Sequence, residues 1–460
     1  MTIPRDKKKD VPFPTSLPVV RPMVAGLDVG STQHWVCGPA RADGVPNVQV
    51  FGTMTAQLNE LADWLTKEGV KSIAMESTYV YWIPIYELLE SRGIEVVLVN
   101  ARQFRNVPGR PKTDFKDCQW IQLLHSCGLL RGSFRPGEAI VRLRTLQRQV
   151  TNLVAERTRY VQWMQKALDQ MNVQVHRAVT DLTGSTGMAI VRAIVAGERD
   201  PVLLAAHRDS RCRKSVDAIA QYLTGNWREE HLFNLASALR LFDALGEEIA
   251  SYEVRLRKEL EALHPLDRQQ EPVPPHPNST KEKAIKARGD QQMRTTLWRF
   301  AGVDLIRIDG IACGVAQTIL TEVGPDISAF PSEDDFVSWL RLCPRTPISG
   351  GKPLRKRRNA LGANRVAQAL RMAATSVQRS KSALGAAFRR IARHKGAAVA
   401  VFAIARKLAQ LVYRMLRHGQ DYVDIGETAY EQRFQERRLA SITEAARGLG
   451  YTLVPRVATA

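Results

Sequence analysis

The chain predicts a multidomain protein, α/β at its N-terminus and α-helical beyond it, on three observations. Short apolar runs alternate with helix-period segments over residues 23–137, the pattern of an α/β domain with a mixed sheet. Long heptad-like apolar stripes follow over 138–270, a helical coiled-coil region suited to oligomerisation. Beyond a Pro-rich connector, residues 296–420 read as basic helices that are apolar on one side, a mainly α C-terminal domain. A length of 460 residues gives room for two or three such domains.

Residues 1–22 are charged and lack the apolar core of a signal peptide, so they read as a disordered arm. MVAGLDV at 23–29 is a buried strand with Asp28 at its exposed end, and 35–37 and 48–51 continue as strands with Asp43-Gly44 as the turn between them. A helix over 56–68 leads into a strand at 71–75 that ends in Glu76. Another helix, 86–91, is stopped by Gly93 before a strand at 95–99. One stripe then runs from Ile140 through Leu146 and Val150 to Val175, interrupted by Arg157; a second runs from Leu232 through Leu239 and Phe242 to Leu263. The prolines at 272, 274, 275 and 277 and the charges after them predict a linker over 271–295. Glycine-punctuated residues 309–324 resemble a helix-hairpin-helix element, whose backbone N–H groups could meet a phosphate. Residues 421–460 form a C-terminal tail.

Charge narrows the class of partner. The formal net charge is +20, and residues 336–420 hold 19 Lys and Arg with no Asp or Glu. A one-signed domain of this kind points to a polyanion, nucleic acid first. No run approaches the roughly eighteen apolar residues that span a bilayer, so no membrane role is expected. Six scattered cysteines form no CxxC pair, as expected of reduced thiols in a cytoplasm.

Chemistry centres on PKTDFKD at 111–117, which sets Asp114 and Asp117 three apart at the start of a helix, on one face. A solvated first turn would explain that pair alone. Asp28 and Glu76, at the ends of separate strands, add two carboxylates with a structural reason to meet it, and four such groups suit one or two Mg²⁺ ions. Far downstream, Ser349 sits in a Pro- and Gly-bracketed loop beside Arg345, Lys352, Arg355, Lys356, Arg357 and Arg358. A hydroxyl there can ligate phosphate or attack it.

Taken together, GLDVG at 26–30, AMEST at 74–78, KTDFKD at 112–117, the hairpin at 309–324 and WLRLCPRTPISGGK at 339–352 resemble the DEDD transposases of bacterial insertion sequences, the IS one-ten type of bridge-RNA-guided recombinase. The resemblance covers roughly 23–450. It departs where Asp309 replaces a common Pro and Ala312-Cys313 displaces Gly314. It implies a RuvC-like ribonuclease H fold over 23–137 with Asp28, Glu76, Asp114 and Asp117 as the Mg²⁺-binding catalytic tetrad. It further implies Ser349 as nucleophile, a phosphoserine link to DNA, a guide RNA pairing with donor and target DNA, and a homo-oligomer, dimer or tetramer, with composite active sites. Two other readings compete. A RuvC-like nuclease or junction resolvase would use water and leave Ser349 idle, and a non-catalytic nucleic-acid scaffold would use the basic domain alone.

Overall fold

Ala25, Leu27 and Val29 alternate with Gly26 and Asp28, and this period of two makes the first strand, β1 (Val24–Val29). β2 (Gln33–Cys37) and β3 (Val48–Gly52) follow antiparallel to it and to each other. After α1 (Thr55–Lys67), β4 (Ser72–Glu76) returns parallel to β1; after α2 (Trp82–Ser91), β5 (Glu95–Val99) pairs parallel with β4. α3 (Asp114–Ser126) completes the layer. The sheet order is β3-β2-β1-β4-β5. The computed structural model describes residues 18–41, 44–77, 79–100, 113–212, 214–268, 270–343, 348–350, 352–353, 364–419 and 421–454. They divide into two units, Met1–Arg135 and Pro136–Ala460. Of the expected turn at Asp43-Gly44, Asp43 lies outside the described residues.

Pleating sorts the first unit into two cores. Ala25, Leu27, Val29, Ile73 and Met75 face α1 and α2, where Leu61, Leu65, Ile85 and Leu89 are fully buried. Each such side chain contributes roughly 1.5–3 kcal/mol. On the opposite face Ala74 and Val99 meet Trp120, Ile121 and Leu124 of α3.

On the buried side of α3, His125 is 2% exposed, with Nε2 2.9 Å from Ser72 Oγ. Burial, then Arg21, pushes its pKa down to about 4 against an upward pull from Glu95. The folded chain thus refuses a proton that the unfolded chain accepts. Stability from the neutral ring is complete above the ordinary value of 6.5 and is lost as pH falls toward 4, by at most on the order of 3 kcal/mol. Melting curves of wild type between pH 7 and pH 4 should show this decline, and His125→Gln should flatten it. Parallel curves for the two proteins would exclude His125 as its source.

In the second unit the two apolar stripes form α4 (Glu138–Gln170) and, after short helices α5 (Val175–Ala178), α6 (Ser185–Val195), α7 (Pro201–Ala206) and α8 (Val216–Tyr222), α9 (Glu229–Ala262). α4 and α9 pack on each other as an antiparallel pair: the Arg157 guanidinium lies 4.0 Å from the Phe242 ring centre. Met164, Leu168, Leu235, Leu239 and Phe242 close one end together with Ile190, Ile194, Leu204 and Ile219 from the short helices. Leu239, Phe242 and Val150 are therefore core residues of a single chain.

The expected linker is folded. α10 (Ser279–Ala287) and α11 (Gln291–Ala301) occupy most of 271–295. Arg294 is 0% exposed, and its guanidinium donates to Asp304 at 2.6 and 3.0 Å, to Glu282 at 2.7 Å and to the Pro274 carbonyl at 2.9 Å. Proline-rich composition forbids a helix over 272–277 but does not prevent docking, and a single buried cation does the docking.

The chain continues through α12 (Cys313–Val323), α13 (Glu333–Trp339), the strands β6 (Ile348–Ser349) and β7 (Lys352–Pro353), and α14 (Arg365–Ser376). It ends with α15 (Ala383–Lys395), α16 (Ala397–His418) and α17 (Gly426–Gly448). α12 follows a turn at Gly310, φ +91°, and is clasped to α4 by Glu322, which takes two 2.8 Å bonds from Arg148 and an ion pair at 3.2 Å from Arg144. Among the described residues, no helix is long and apolar enough to cross a membrane.

Candidate active site

Register brings the first two carboxylates side by side. Leu27 stands opposite Met75 in the parallel β1–β4 ladder, so one step further Asp28 is level with Glu76 at the strands' C-terminal ends. Their backbones are about 4.8 Å apart. Alternation sets both on the face shared by Gly26 and Ala74, which α3 covers.

The path of α3 brings the other two to the same edge. Ser126 O accepts from the N–H groups of Val20 and Arg21 at 2.8 and 2.9 Å, below the start of β1. Gln122 reaches the Val24 carbonyl at 3.5 Å. Gly26 lies so close beneath the helix that a Cβ on it would stand 2.3 Å from Gln122 N and 2.4 Å from Cys118 O. Contacts climb β1 as they descend α3, so the first turn of the helix arrives where β1 ends. Trp35, paired with Asp28 across the β1–β2 ladder, meets the Phe115 ring edge-on with centroids 6.3 Å apart. The Cys118 thiol is pushed up by burial first, then by Cys37 and by the charge of Asp28.

Asp114 and Asp117 occupy that first turn, behind Thr113, whose Oγ1 accepts from Lys116 N–H at 3.3 Å. The helix dipole favours negative charge there. Asp114 is exposed, while Asp28, Glu76 and Asp117 are half-buried. An all-oxygen donor set on two strand ends and a helix start fits a hard divalent cation such as Mg²⁺. The groups share an edge without closing into a ligand shell: among the described residues, no three His, Cys, Asp or Glu side chains stand as a group that could hold an ion.

Three aromatics that follow these carboxylates in the chain escaped the sequence reading. Tyr79 and Tyr81, 77% and 41% exposed, stack at a tilt with centroids 5.5 Å apart in the loop after Glu76. Phe115, 39% exposed, follows Asp114. The signal available was the YVYW run at 79–82, an aromatic cluster directly after a strand-end carboxylate.

Ser349 belongs to the second unit. It lies in β6 directly opposite Lys352 of β7, across a two-residue turn that includes Gly350 at φ +56°. Tight hairpin turns of this kind need positive φ, which glycine adopts without strain. Arg345, Arg355, Lys356, Arg357 and Arg358 lie outside the described residues.

The acid-free span is partly neutralised by acids that flank it. Glu333 accepts from Arg414 at 2.6 and 2.9 Å, Asp334 from Arg406 at 3.0 Å and Glu427 from Arg389 at 2.5 Å. These arginines hold helices together and are less available to a polyanion.

Two family models match the chain. One for IS110 DEDD transposases, described as Transposase, matches residues 25–173 and includes all four carboxylates. The other, described as Transposase IS116/IS110/IS902 family, matches residues 303–389 and includes Ser349. No curated protein matches. Both models describe the same kind of enzyme, and each falls on one of the two stretches that carry candidate chemistry; the chain belongs to the IS110-type transposases and is a DNA transposase.

Proposed function

We propose that the chain cuts and rejoins donor and target DNA through a phosphoserine intermediate on Ser349, with Asp28, Glu76, Asp114 and Asp117 as its Mg²⁺ site and a bridge RNA as its guide. The observation that carries the reading is the arrival of α3's first turn at the strand ends of Asp28 and Glu76. Three antiparallel strands joined to two parallel ones in the order β3-β2-β1-β4-β5 support a RuvC-like ribonuclease H fold. Helix, glycine turn and helix at α11, Gly310 and α12 support a helix-hairpin-helix element.

Ser349 Oγ would bond to the scissile phosphorus and expel the 3′ oxygen, which leaves as a 3′ hydroxyl. A 3′ hydroxyl from the exchanged strand would then attack the phosphoserine and return the serine. Bond count is conserved at each step, so rejoining needs no external energy source. Mg²⁺ bound at the carboxylates would polarise the scissile phosphate and stabilise charge on the leaving oxygen. Tyr79 and Tyr81 offer faces on which flanking bases can stack. The +20 charge accommodates both DNA and an RNA guide. Exposed Trp163, Phe233 and Leu241 on the α4–α9 pair offer a surface for assembly as a dimer or tetramer.

Asp114→Asn and Glu76→Gln should each abolish strand cleavage in Mg²⁺ and leave nucleic-acid binding largely intact. Cleavage at the wild-type rate by either variant would remove the carboxylates from the mechanism.

A further inference from the structure

Three helices, α15, α16 and α17, enclose an open hollow of about 630 Å³ in the second unit. Its walls include Arg390, Lys407, Arg437 and Arg438, with the rings of Tyr430 and Phe434, and among the described residues no acid lines it. The family models end at residue 389, before all of these. We propose that this groove is a binding site for the phosphate backbone of a nucleic-acid strand.

The side chains are arranged for an anion. Tyr430, Phe434, Arg438 and Ser441 recur at helical spacing, so one face of α17 lines the hollow. The Arg390 guanidinium lies 3.7 Å from the centre of the Phe434 ring and 4.8 Å from that of Tyr430, and it donates to the Tyr430 hydroxyl. Cation–π contact holds the planar fork in place before any ligand arrives. Its Nη1 is buried and has no hydrogen-bond partner among the described residues. Lys407 is an exposed residue, yet partial burial of its amine, then Arg437, Arg390 and Arg414, lower its pKa. Like charges brought this close call for an anion to offset their repulsion.

Neighbouring arginines behave differently. Arg389, one residue away, is taken by Glu427, as Arg414 is by Glu333. The adjoining hollow shares Arg390, Phe434 and Arg438 with the groove and adds Glu427 and Glu431 beside Arg393, so acids lie at the groove's edge and not in its lining. Four cations along one open hollow exceed what a single small anion would use. They match successive phosphates of a strand, and a DNA transposase handles such strands. α17 contributes no buried residue of its own, so a chain bound in the groove would also secure that helix.

The proposal rests on the reading of the chain as a DNA-processing enzyme, and the test separates the two. Arg437→Gln/Arg438→Gln removes two exposed cations, and Arg433→Gln/Arg447→Gln removes two from the same helix outside the lining. Binding of labelled single-stranded DNA, duplex DNA and single-stranded RNA is titrated against salt, and DNA cleavage is assayed at saturating DNA. The slope of log K against log[salt] should fall by about 1.4 for a single strand, or about 1.8 for duplex, in the first variant. The control should shift it by less than half as much, and the nucleic acid that responds is the ligand. Equal slopes in both variants and wild type on all three probes, with cleavage intact, would overturn the groove and leave the transposase reading standing. Wild type that binds none of the probes would overturn both.

Discussion

Ser349→Ala should yield a chain that folds and binds nucleic acid yet forms no covalent link to DNA, where wild type forms one. A serine hydroxyl is a weak nucleophile until a base or metal activates it, and alanine removes it altogether, so adduct formation should drop by at least about 10³-fold. The substitution is gentle to the fold. Ser349 ends a two-residue strand opposite Lys352, and alanine can maintain that backbone pairing. Reactions stopped with denaturant and run on a denaturing gel read the result directly. A DNA-linked band that persists in the variant would move the nucleophile elsewhere. Cleavage by wild type with no linked band would instead favour a water-driven nuclease.

The second large effect is expected at a residue with no side chain. Gly26→Val would drive a Cβ to within 2.3 Å of Gln122 N and 2.4 Å of Cys118 O, both backbone atoms of α3 that cannot rotate away. α3 must shift off the sheet, at a cost of about 1–3 kcal/mol or more. Its first turn carries Asp114 and Asp117, so the displacement also separates them from Asp28 and Glu76. A misplacement of about 1 Å can cost roughly 10²-fold in rate. Thermal melting and cleavage at a temperature where the variant remains folded measure the two losses separately. Gly448→Ala is the control, because nothing lies within 4 Å of its added methyl. A Gly26→Val protein with wild-type melting and cleavage would mean that α3 does not position the carboxylates.

Strand ends and helix starts were legible because their signals are local. Asp28 and Glu76 each close an apolar run, and Asp114 and Asp117 follow a helix cap, so period and punctuation alone suggested an edge where they meet. The β1–β4 register that levels Asp28 with Glu76 was not legible, since pairing depends on residues about fifty apart in sequence. The apolar stripes were seen, but which surface they cover was not: a heptad pattern looks the same whether its partner is another chain or, as here, α9 against α4. Residues 271–295 misled for a different reason. Prolines and charges report local stiffness and polarity, whereas Arg294 is held by groups at 274, 282 and 304, which only the folded chain brings together.

Arg294 also limits how the molecule can be divided. A proline-rich stretch between helical segments is where a protein engineer would place a split, a tag or a fused partner. Cutting or lengthening the chain at 272–277 would pull the Pro274 carbonyl away from a guanidinium that has no access to water. Leaving that N–H of a buried guanidinium without its acceptor costs about 1–3 kcal/mol, a large share of a typical domain's net stability. The halves on either side of those prolines are therefore poor candidates for separate expression. Residues 274–304 must travel as one piece, with any cut placed outside them.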